Sequence, residues 1–508
     1  MLASVATFAI EGVGSREVTV EADVRRGLPT FTLVGLPDRA VRESRERVRA
    51  ALLNSQLDFP MKRLTVNLAP AHLRKGGPGF DLAIAVALLL ASEQIPPGSL
   101  DDCAVCGELS LAGRLRPGRG ALAFALGARE AGYRRLVVSV ENAPEAAIVE
   151  GIEIVSVPSL IRIVDLVRGE WEPEPAEPSP PPARDESRFL DLADVRGQED
   201  AKRALEIAAA GGHNVLMVGP PGVGKTMLAR RLPGILPPPT FEEALEITRV
   251  QSVAGIGGHR LAPARPFRAP HHTISASGLV GGSAPPRPGE VTLAHRGVLF
   301  LDELPEFSRA ALDALRQPLE EGRVEIMRGQ RTIAFPASVT LVAACNRCPC
   351  ARPPDRCSCR EIELSRYSRR LSGPLLDRID LVCEVASVPT LRLVEERVAA
   401  AARESSSSVR ERVVLARERQ LARLSGRPAL CNGDMDARLT RRVVPVSGPI
   451  VGRLLDAPGR SPISGRGVDR VLRVARTIAD LDGREAVLEA DVDEALGYRL
   501  SGSEWLAA

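Results

Sequence analysis

Lysine, aromatic residues and long apolar runs are scarce in this sequence. Only four of its 67 basic residues are lysine, so arginine carries almost all of the positive charge. Aromatic residues make up 3% of the chain, which argues against a protein that binds nucleic acid mainly by stacking bases. No apolar run reaches the ~18 residues that cross a membrane, and residues 1–17 lack the basic start of a secretory signal. We therefore expect a cytoplasmic protein that does not bind membranes.

A strong excess of one charge is also missing, and this limits the kinds of partner. The 67 basic and 64 acidic residues leave a net charge of +3, so any contact with nucleic acid must come from a local basic patch. The composition, 44% apolar and 26% charged, is that of a globular protein and excludes a disordered or collagen-like chain. A length of 508 residues corresponds to about three domains.

A proline-rich segment at 171–187 marks the clearest domain boundary, because it can form neither a helix nor a central strand. We predict an α/β domain over 1–168, a linker over 169–188, a second α/β domain over 189–388 and a helical domain over 389–508. In the first domain the apolar patterns predict helices at 39–53 and 80–91, and strands at 17–24, 63–67 and 135–140.

Short apolar runs in the second α/β domain are typical of a parallel sheet that is covered on both faces. They predict strands at 214–218, 297–301 and 339–344. After residue 391 the strand signals end, and we predict helices at 466–481 and 489–500. The serine run 405–408 is predicted to be a loop.

The segment 219–226, GPPGVGKT, has the spacing of a phosphate-binding loop and lies between an apolar strand and a helical pattern. Its glycines allow a tight turn whose backbone N–H groups face phosphate oxygens. Lys225 reaches the β and γ phosphates, and Thr226 offers its hydroxyl to Mg²⁺. We expect a triphosphate to bind along the whole loop, which comprises Gly219, Pro220, Pro221, Gly222, Val223, Gly224, Lys225 and Thr226.

Two acids, Asp302 and Glu303, end the apolar run 298–301. An acid pair at the carboxyl end of a strand lies where open α/β sheets bind their ligands. Asp302 suits a contact with Mg²⁺ through water, and Glu303 suits polarisation of the attacking water. The alternative is that the pair only caps a helix.

Five of the nine cysteines fall within 345–359, and such a cluster indicates a metal site rather than disulfides. Cys345 is expected to be a core residue at a strand end. The other four form two C-x-C pairs that can surround a structural, tetrahedral Zn²⁺: Cys348, Cys350, Cys357 and Cys359. Free thiols and an iron–sulfur site are the alternatives.

The alternation over 321–336 predicts a β-hairpin with a positive tip, formed by Arg323, Arg328 and Arg331. These arginines are candidates for phosphate contacts on DNA, and a solvated hairpin is the alternative. Two adjacent histidines, His271 and His272, seldom share one metal ion, so we expect a structural or interface role for them.

Several ordered motifs resemble those of AAA+ ATPases, and specifically of the magnesium-chelatase-like ComM/YifB family. The resemblance covers nearly the whole chain. It implies an α/β multidomain protein with an N-terminal domain like that of Lon protease (ribosomal S5 domain 2-like), an AAA+ core and a helical lid. The motifs are GLPDRAVRESRERVRAAL at 35–52, RKGGPGFDLAIA at 74–85, GHNVLMVGPPGVGKTMLA at 212–229, RPFRAPHHTIS at 265–275, PGEVTLAHRGVLFLDELPEF at 288–307 and LSGPLLDRIDL at 371–381.

The resemblance also implies ATP and Mg²⁺ as ligands and further site residues. Asn346 matches sensor 1, which helps to place the attacking water, and Arg466 matches sensor 2 in the lid. Arg378 matches the arginine finger, which acts on the γ-phosphate held by a neighbouring subunit. A finger that acts on a neighbour implies a ring, by family analogy a hexamer. The alternative for Arg378 is a structural ion pair with Asp377 or Asp380.

The first domain lacks the residues of a Ser-Lys peptidase. That chemistry needs a serine near position 79 and a lysine base after it, whereas the chain has Gly79 and no lysine over 76–201. The arginine-rich helix at 39–49 is a candidate for binding a partner or nucleic acid, and a solvated face is the alternative. For the whole chain, the resemblance implies a DNA translocase or branch-migration helicase. A chelatase-type motor and a protein-remodelling chaperone are the rival hypotheses.

Overall fold

The computed structural model of this chain describes residues 1–73, 75–178, 185–186, 189–257, 260–282, 286–328, 331–352, 356–371, 373–388, 403–455 and 464–507. Most of the predicted linker lies within these ranges, but 179–184 and 187–188 fall outside them. No helix in this part of the chain combines the length and the apolar character that a membrane crossing requires.

The N-terminal region forms a mixed seven-stranded sheet with the strand order β3-β4-β2-β1-β5-β8-β9. Helix α2 packs against β1 and β2, and all eleven of its residues are buried, which explains its unbroken apolar run. The elements are β1 Leu2–Glu11, β2 Gly14–Arg25, β3 Thr30–Val34, α1 Arg39–Asn54, β4 Arg63–Ala69, α2 Asp81–Ala91, β5 Cys103–Val105, β6 Glu108–Leu109, β7 Leu115–Arg116, α3 Ala121–Glu130, β8 Arg135–Ser139, α4 Ala143–Ala146, β9 Glu153–Val157 and α5 Leu160–Arg168.

The second region is built on a five-stranded sheet, β11-β12-β15-β10-β16, whose neighbouring strands are all parallel. The predicted strands are confirmed to within one residue, because fully buried strands give short apolar runs. The elements are α6 Glu199–Gly211, β10 Val215–Val218, α7 Lys225–Ala229, α8 Leu232–Ile235, α9 Phe241–Ala254, β11 Phe267–Arg268, α10 Ala276–Val280, α11 Glu290–Leu293, β12 Val298–Leu301, α12 Arg309–Ala314, α13 Arg316–Glu321, β13 Arg323–Arg328, β14 Arg331–Pro336, β15 Thr340–Cys345, α14 Glu361–Ser368, α15 Gly373–Leu376 and β16 Leu381–Glu384.

The described residues of the C-terminal region form helices that share a core with the second sheet. Val409 and Val471 of two of these helices pack in the same buried cluster as Val215 of β10. Residues 389–402 and 456–463 lie outside the described part of this region. The helices are α16 Ser406–Leu424, α17 Ala437–Val443, α18 Gly448–Leu455, α19 Gly465–Leu481 and α20 Glu489–Ala507.

The loop predicted at the serine run 405–408 is wrong. Helix α16 begins there, and the Ser405 hydroxyl accepts a hydrogen bond from the backbone N–H of Ser408. Serine is a favoured residue at the position before a helix, because its side chain satisfies an N–H that has no partner within the helix. The run is therefore the start of the helix and not a break between elements.

The first two regions pack directly against each other. Ala244 and Leu261 of the second region lie in one buried cluster with Leu122 and Ala125 of α3. The Arg249 guanidinium on α9 donates a 2.7 Å hydrogen bond to the carbonyl oxygen of Val13, in the turn between β1 and β2. The N-terminal sheet therefore rests on the helix that follows the phosphate loop and α8.

Candidate nucleotide site

The phosphate loop connects the carboxyl end of β10 to the start of α7. Gly222 and Gly224 have φ angles of +78° and +97°, which side chains other than glycine seldom adopt. At Gly219 a Cβ atom would lie 2.2 Å from the carbonyl oxygen of Val385, so the neighbouring backbone also requires glycine there. The loop therefore has the glycine-dependent shape that the sequence motif predicts.

Four predicted side chains converge beside this loop. The Lys225 ammonium donates hydrogen bonds to the carbonyl oxygens of Gly219 and Pro220, both at 2.7 Å, and to Asn346 Oδ1 at 3.0 Å. The Thr226 hydroxyl donates to Asp302 Oδ2 at 2.6 Å. Burial lowers the pKa of Lys225 below its usual value. Because β10, β12 and β15 are parallel neighbours, their carboxyl ends bring these residues to one edge of the sheet.

Glu303 follows Asp302 and lies at the same edge. Its backbone is left-handed, with φ 53° and ψ 48°, a conformation that costs energy for a residue other than glycine and is common at functional sites. Its side chain caps no helix, so the capping alternative fails for this residue. Glu303 Oε2 lies 3.2 Å from Nδ1 of His272, a contact that sequence reasoning missed because the preceding strand β11 has only two residues.

Arg378 and Arg466 lie at the opposite edge of the sheet. Both line a cavity of about 760 Å³, together with Asn214 and Asp380, which precede β10 and β16. Arg378 contacts the carboxylate of Glu320 and the carbonyl oxygen of Pro374, so the predicted alternative of a pair with Asp377 or Asp380 is wrong. The phosphate loop contributes no residue to this cavity among those described.

Asp380 keeps its charge in this cavity although it is buried. Burial raises its pKa, but the facing His213 imidazole and the guanidinium groups of Arg473 and Arg470 outweigh that effect and hold the pKa at about 2. Its carboxylate also accepts a 3.1 Å hydrogen bond from the backbone N–H of Asn214. At this edge of the sheet a charged carboxylate therefore lies among arginine side chains.

The four cysteines of the predicted metal site come together. Cys348 and Cys350 Sγ atoms are 3.3 Å apart, Cys357 lies 3.7 Å from each of them, and all four sulfur atoms lie within 4.8 Å of one another. Tetrahedral zinc with ~2.3 Å bonds separates its sulfur ligands by about 3.8 Å. The backbone N–H of Arg352 and the Cys348 thiol lower the pKa of Cys350 to about 6, which favours a ligating thiolate. Cys345 is buried at the end of β15, as predicted.

The hairpin predicted over 321–336 is present as β13 and β14, with Arg328 opposite Arg331 at the tip. The side chains of Arg328 and Arg331, and residues 329–330, lie outside the described part of the chain. Arg323 is opposite Pro336 at the base of the hairpin, so its placement in a positive tip is wrong. It pairs with Glu325 at 3.0 Å, because strand residues two apart share a face.

In the glycine-rich segment 75–80 of the N-terminal region, the described residues form no comparable cluster. Lys75 is fully buried and its ammonium donates to the carbonyl oxygen of Pro70. Asp81, also fully buried, accepts hydrogen bonds from Arg47 Nε at 2.6 Å and from the Ser44 hydroxyl. A Cβ atom at Gly79 would meet nothing within 4 Å, so the absence of serine there is not a steric requirement.

Comparisons with known proteins agree with this geometry. Three family models match: "Magnesium chelatase, subunit ChlI" over 191–393, "Subunit ChlI of Mg-chelatase" over 20–142 and "Magnesium chelatase, subunit ChlI C-terminal" over 403–499. A phosphate loop on a parallel α/β sheet, with these matches, defines a magnesium-chelatase-like protein of the AAA+ class.

Full-length relatives narrow this class to one family. The chain is 43% identical over 508 residues to competence protein ComM of Haemophilus influenzae, covering 98% of this chain and 97% of that protein. It is 42% identical over 500 residues to the uncharacterised protein YifB of Escherichia coli, with the same two coverages. The chain belongs to the magnesium-chelatase-like ComM/YifB family. A partial similarity to Lon protease 2 of Bacillus subtilis, 29% over 205 residues, covers 36% of this chain.

Proposed function

We propose that this chain is a Mg²⁺-dependent ATPase that assembles into a ring, by analogy a hexamer. In this proposal, hydrolysis moves DNA through the pore, as in a translocase or branch-migration helicase of natural transformation or recombination. The observation that carries the ATPase proposal is the convergence of Lys225, Thr226, Asp302 and Asn346 at one edge of the sheet. DNA as the polymer is supported by the 43% identity to a protein named for competence.

Each of these side chains has a role in the proposed reaction. Lys225 and the backbone N–H groups of the loop hold the β and γ phosphates, and Asn346 orients the attacking water. Thr226 and Asp302 fit Mg²⁺, because a hydroxyl and a carboxylate 2.6 Å apart are the hard oxygen donors that this ion prefers. Bound Mg²⁺ neutralises charge on the phosphates. Glu303 polarises the water and accepts its proton.

Arg378 and Arg466 support a site shared between subunits. Both line the cavity at the amino edge of the sheet, whereas the phosphate loop lies at the carboxyl edge of the same sheet. We therefore propose that they reach the triphosphate of a neighbouring chain and neutralise the charge that develops as the γ-phosphate leaves. Arg378 then exchanges its contact with Glu320 for that phosphate.

Mixing two inactive variants tests this sharing. Lys225→Met subunits keep Arg378, and Arg378→Ala subunits keep the phosphate loop, so equal mixtures should hydrolyse ATP faster than either variant alone. Arg369→Ala, which replaces an exposed arginine outside the cavity, is the matched control and should be active by itself. A chain that stays monomeric with nucleotide, or a mixture with no added turnover, contradicts the shared site.

ATPase rates with single-stranded, duplex and four-way-junction DNA test the proposed polymer. At least one of these should bind at low salt and raise turnover. Absence of binding and stimulation by all three favours a protein-remodelling chaperone or a chelatase-type motor. The matches to magnesium chelatase subunit ChlI favour the latter as second candidate, and it would need a separate porphyrin-binding partner.

We also propose that the four cysteines bind a structural zinc ion. The support is their mutual distances, and the alternative of free thiols predicts no bound metal. Asn346 is two residues before Cys348, and its carbonyl oxygen accepts a 3.3 Å hydrogen bond from the Tyr367 hydroxyl. Metal analysis of purified protein should find one zinc per chain, which Cys357→Ser should lose. Iron, or no metal, contradicts this assignment.

A further inference from the structure

We propose that His272 is the positioning residue that holds the Glu303 carboxylate in place for hydrolysis. The inference rests on the proposed ATPase function and adds a residue to that site. Its starting observation is the 3.2 Å contact between His272 Nδ1 and Glu303 Oε2, which joins two segments 31 positions apart in the chain.

The sheet register explains why these two residues meet. Strands β11 and β12 are parallel, and Arg268 pairs with Leu299. His272 lies four residues beyond Arg268, and Glu303 lies four residues beyond Leu299 (272 − 268 = 303 − 299). The two segments that follow β11 and β12 leave the same edge of the sheet. His272 and Glu303 are equally far along them, so their side chains can meet above the site.

Glu303 needs such a partner. Its side chain makes no capping hydrogen bond to the short helix that follows, and the side chain is 56% exposed. An exposed glutamate samples several rotamers, and only some of them direct the carboxylate at an attacking water. A second group that contacts the carboxylate reduces this freedom and raises the productive fraction.

Two aromatic rings pack against the ring of His272. Its ring lies 4.1 Å from the His271 ring, centroid to centroid, and meets Phe307 edge-on at 6.4 Å. The segment continues into α10, whose Leu279 is fully buried in the core beneath the acid pair. A ring that is packed in this way can orient a mobile carboxylate, whereas an isolated surface histidine could not.

Steady-state ATPase kinetics of His272→Ala test the role. The variant should lower kcat about 10- to 100-fold, because misplacement of the water-polarising group costs catalysis of this order. The KM for ATP should change less than twofold, because His272 does not contact the phosphate loop among the contacts described. His272→Asn places an amide N–H close to the position of Nδ1 and should recover most of the lost kcat.

His72→Ala is the control, since it removes an exposed histidine of the N-terminal region that takes no part in the proposed site. It should keep parental kcat, and thermal unfolding should show both alanine variants to be folded. Parental turnover in His272→Ala, or a loss that His272→Asn does not recover, overturns the inference alone. A wild-type chain that hydrolyses no ATP, or whose hydrolysis survives Lys225→Met, overturns the proposed function and with it this inference.

Discussion

Two glycine-rich loops in this chain each lead from a strand into a helix. Among the residues that the structure describes, the loop before α7 is surrounded by the side chains expected of a nucleotide site, whereas the loop before α2 is not. The loop before α7 contains Lys225, which contacts Asn346 from the neighbouring strand. The loop before α2 contains Lys75, whose ammonium donates a hydrogen bond to the carbonyl oxygen of Pro70. The two loops look alike in glycine and proline content, but they differ in what adjacent elements bring to them.

The two loops differ in the side chains that neighbouring elements bring to them. At the phosphate loop, β12 and β15 add Asp302 and Asn346 next to Thr226 and Lys225. At the other loop, the charged residue that enters is Asp81, and Arg47 with Ser44 occupies its carboxylate. One loop brings its charged groups together at an edge of the sheet, whereas at the other loop Asp81 links two helices.

The paired variants Lys225→Met and Lys75→Met should separate the two loops most strongly. Lys225→Met should lower ATP turnover at least about 100-fold, because a cation that stabilises transferring phosphate is lost. Lys75→Met should keep parental turnover, since its ammonium contacts Pro70 in the N-terminal region and not the phosphate loop. Phosphate release under saturating ATP measures both, and similar losses in the two variants would break the comparison.

Asp81→Ala should mainly affect stability. The variant leaves the Arg47 guanidinium and the Ser44 hydroxyl without their partner and creates a buried cavity. We therefore expect the free energy of unfolding of the N-terminal region to fall by about 3 kcal/mol. Glu43→Ala removes an exposed helical pair with Arg39 in the same region and should cost below about 0.5 kcal/mol. Denaturant unfolding measures both; equal effects would refute a structural role for Asp81.

Loss of the metal should impair the function of the phosphate loop, and it should leave the loop before α2 unaffected. Cys357→Ser should lower kcat severalfold, because the cysteine cluster continues directly from the segment that presents Asn346. Ser358→Ala replaces an exposed neighbour that is not a ligand and should keep both zinc and turnover. Parallel metal analysis and ATPase assays decide this, and full turnover without metal would show that the cluster does not support the site.

The smallest expected effect is a pH dependence of the free energy of unfolding that arises from Lys75. Burial lowers its pKa in the folded chain below the unfolded value, so the unfolded chain binds more protons between the two values. Wild-type stability should therefore rise relative to Lys75→Met as the pH increases toward 10.5. Unfolding midpoints of wild type and Lys75→Met should be compared at pH 7.5 and 9.5. The difference between the two proteins should change with pH by less than the shift that Asp81→Ala causes. A relative loss of wild-type stability at the higher pH would contradict a lowered pKa of Lys75.

Much of the second sheet was predictable because buried parallel strands and the phosphate loop leave strong local patterns. The same holds for the cysteines, whose sequence spacing already limits where their sulfur atoms can lie. Residues whose role depends on distant partners were harder. For Arg378 the alternative to the arginine finger named Asp377 or Asp380 as its partner, whereas the residue contacts Glu320, 58 positions away in the chain. The two-residue strand that places His272 is too short to give a periodic signal.

The errors have local explanations as well. The serine run predicts a loop, although serine is also common at the start of a helix. Only the helical pattern after residue 408 distinguishes a loop from a helix start. Arg323 was grouped with the hairpin tip because sequence distance hides which end of a hairpin a residue occupies. Pairing with Pro336 puts it at the base.

Lys225 and Arg378 lie at opposite edges of one sheet, and this restricts how two copies of the chain could combine them in a shared site. A two-fold dimer joins one surface patch to the same patch of its partner, so it cannot bring opposite edges of the sheet into contact. Contacts that join one edge to the other must instead run head to tail, each copy offering a donor face and an acceptor face. Such an assembly has a direction. The rotation between successive copies decides whether it closes into a ring or grows into an open spiral.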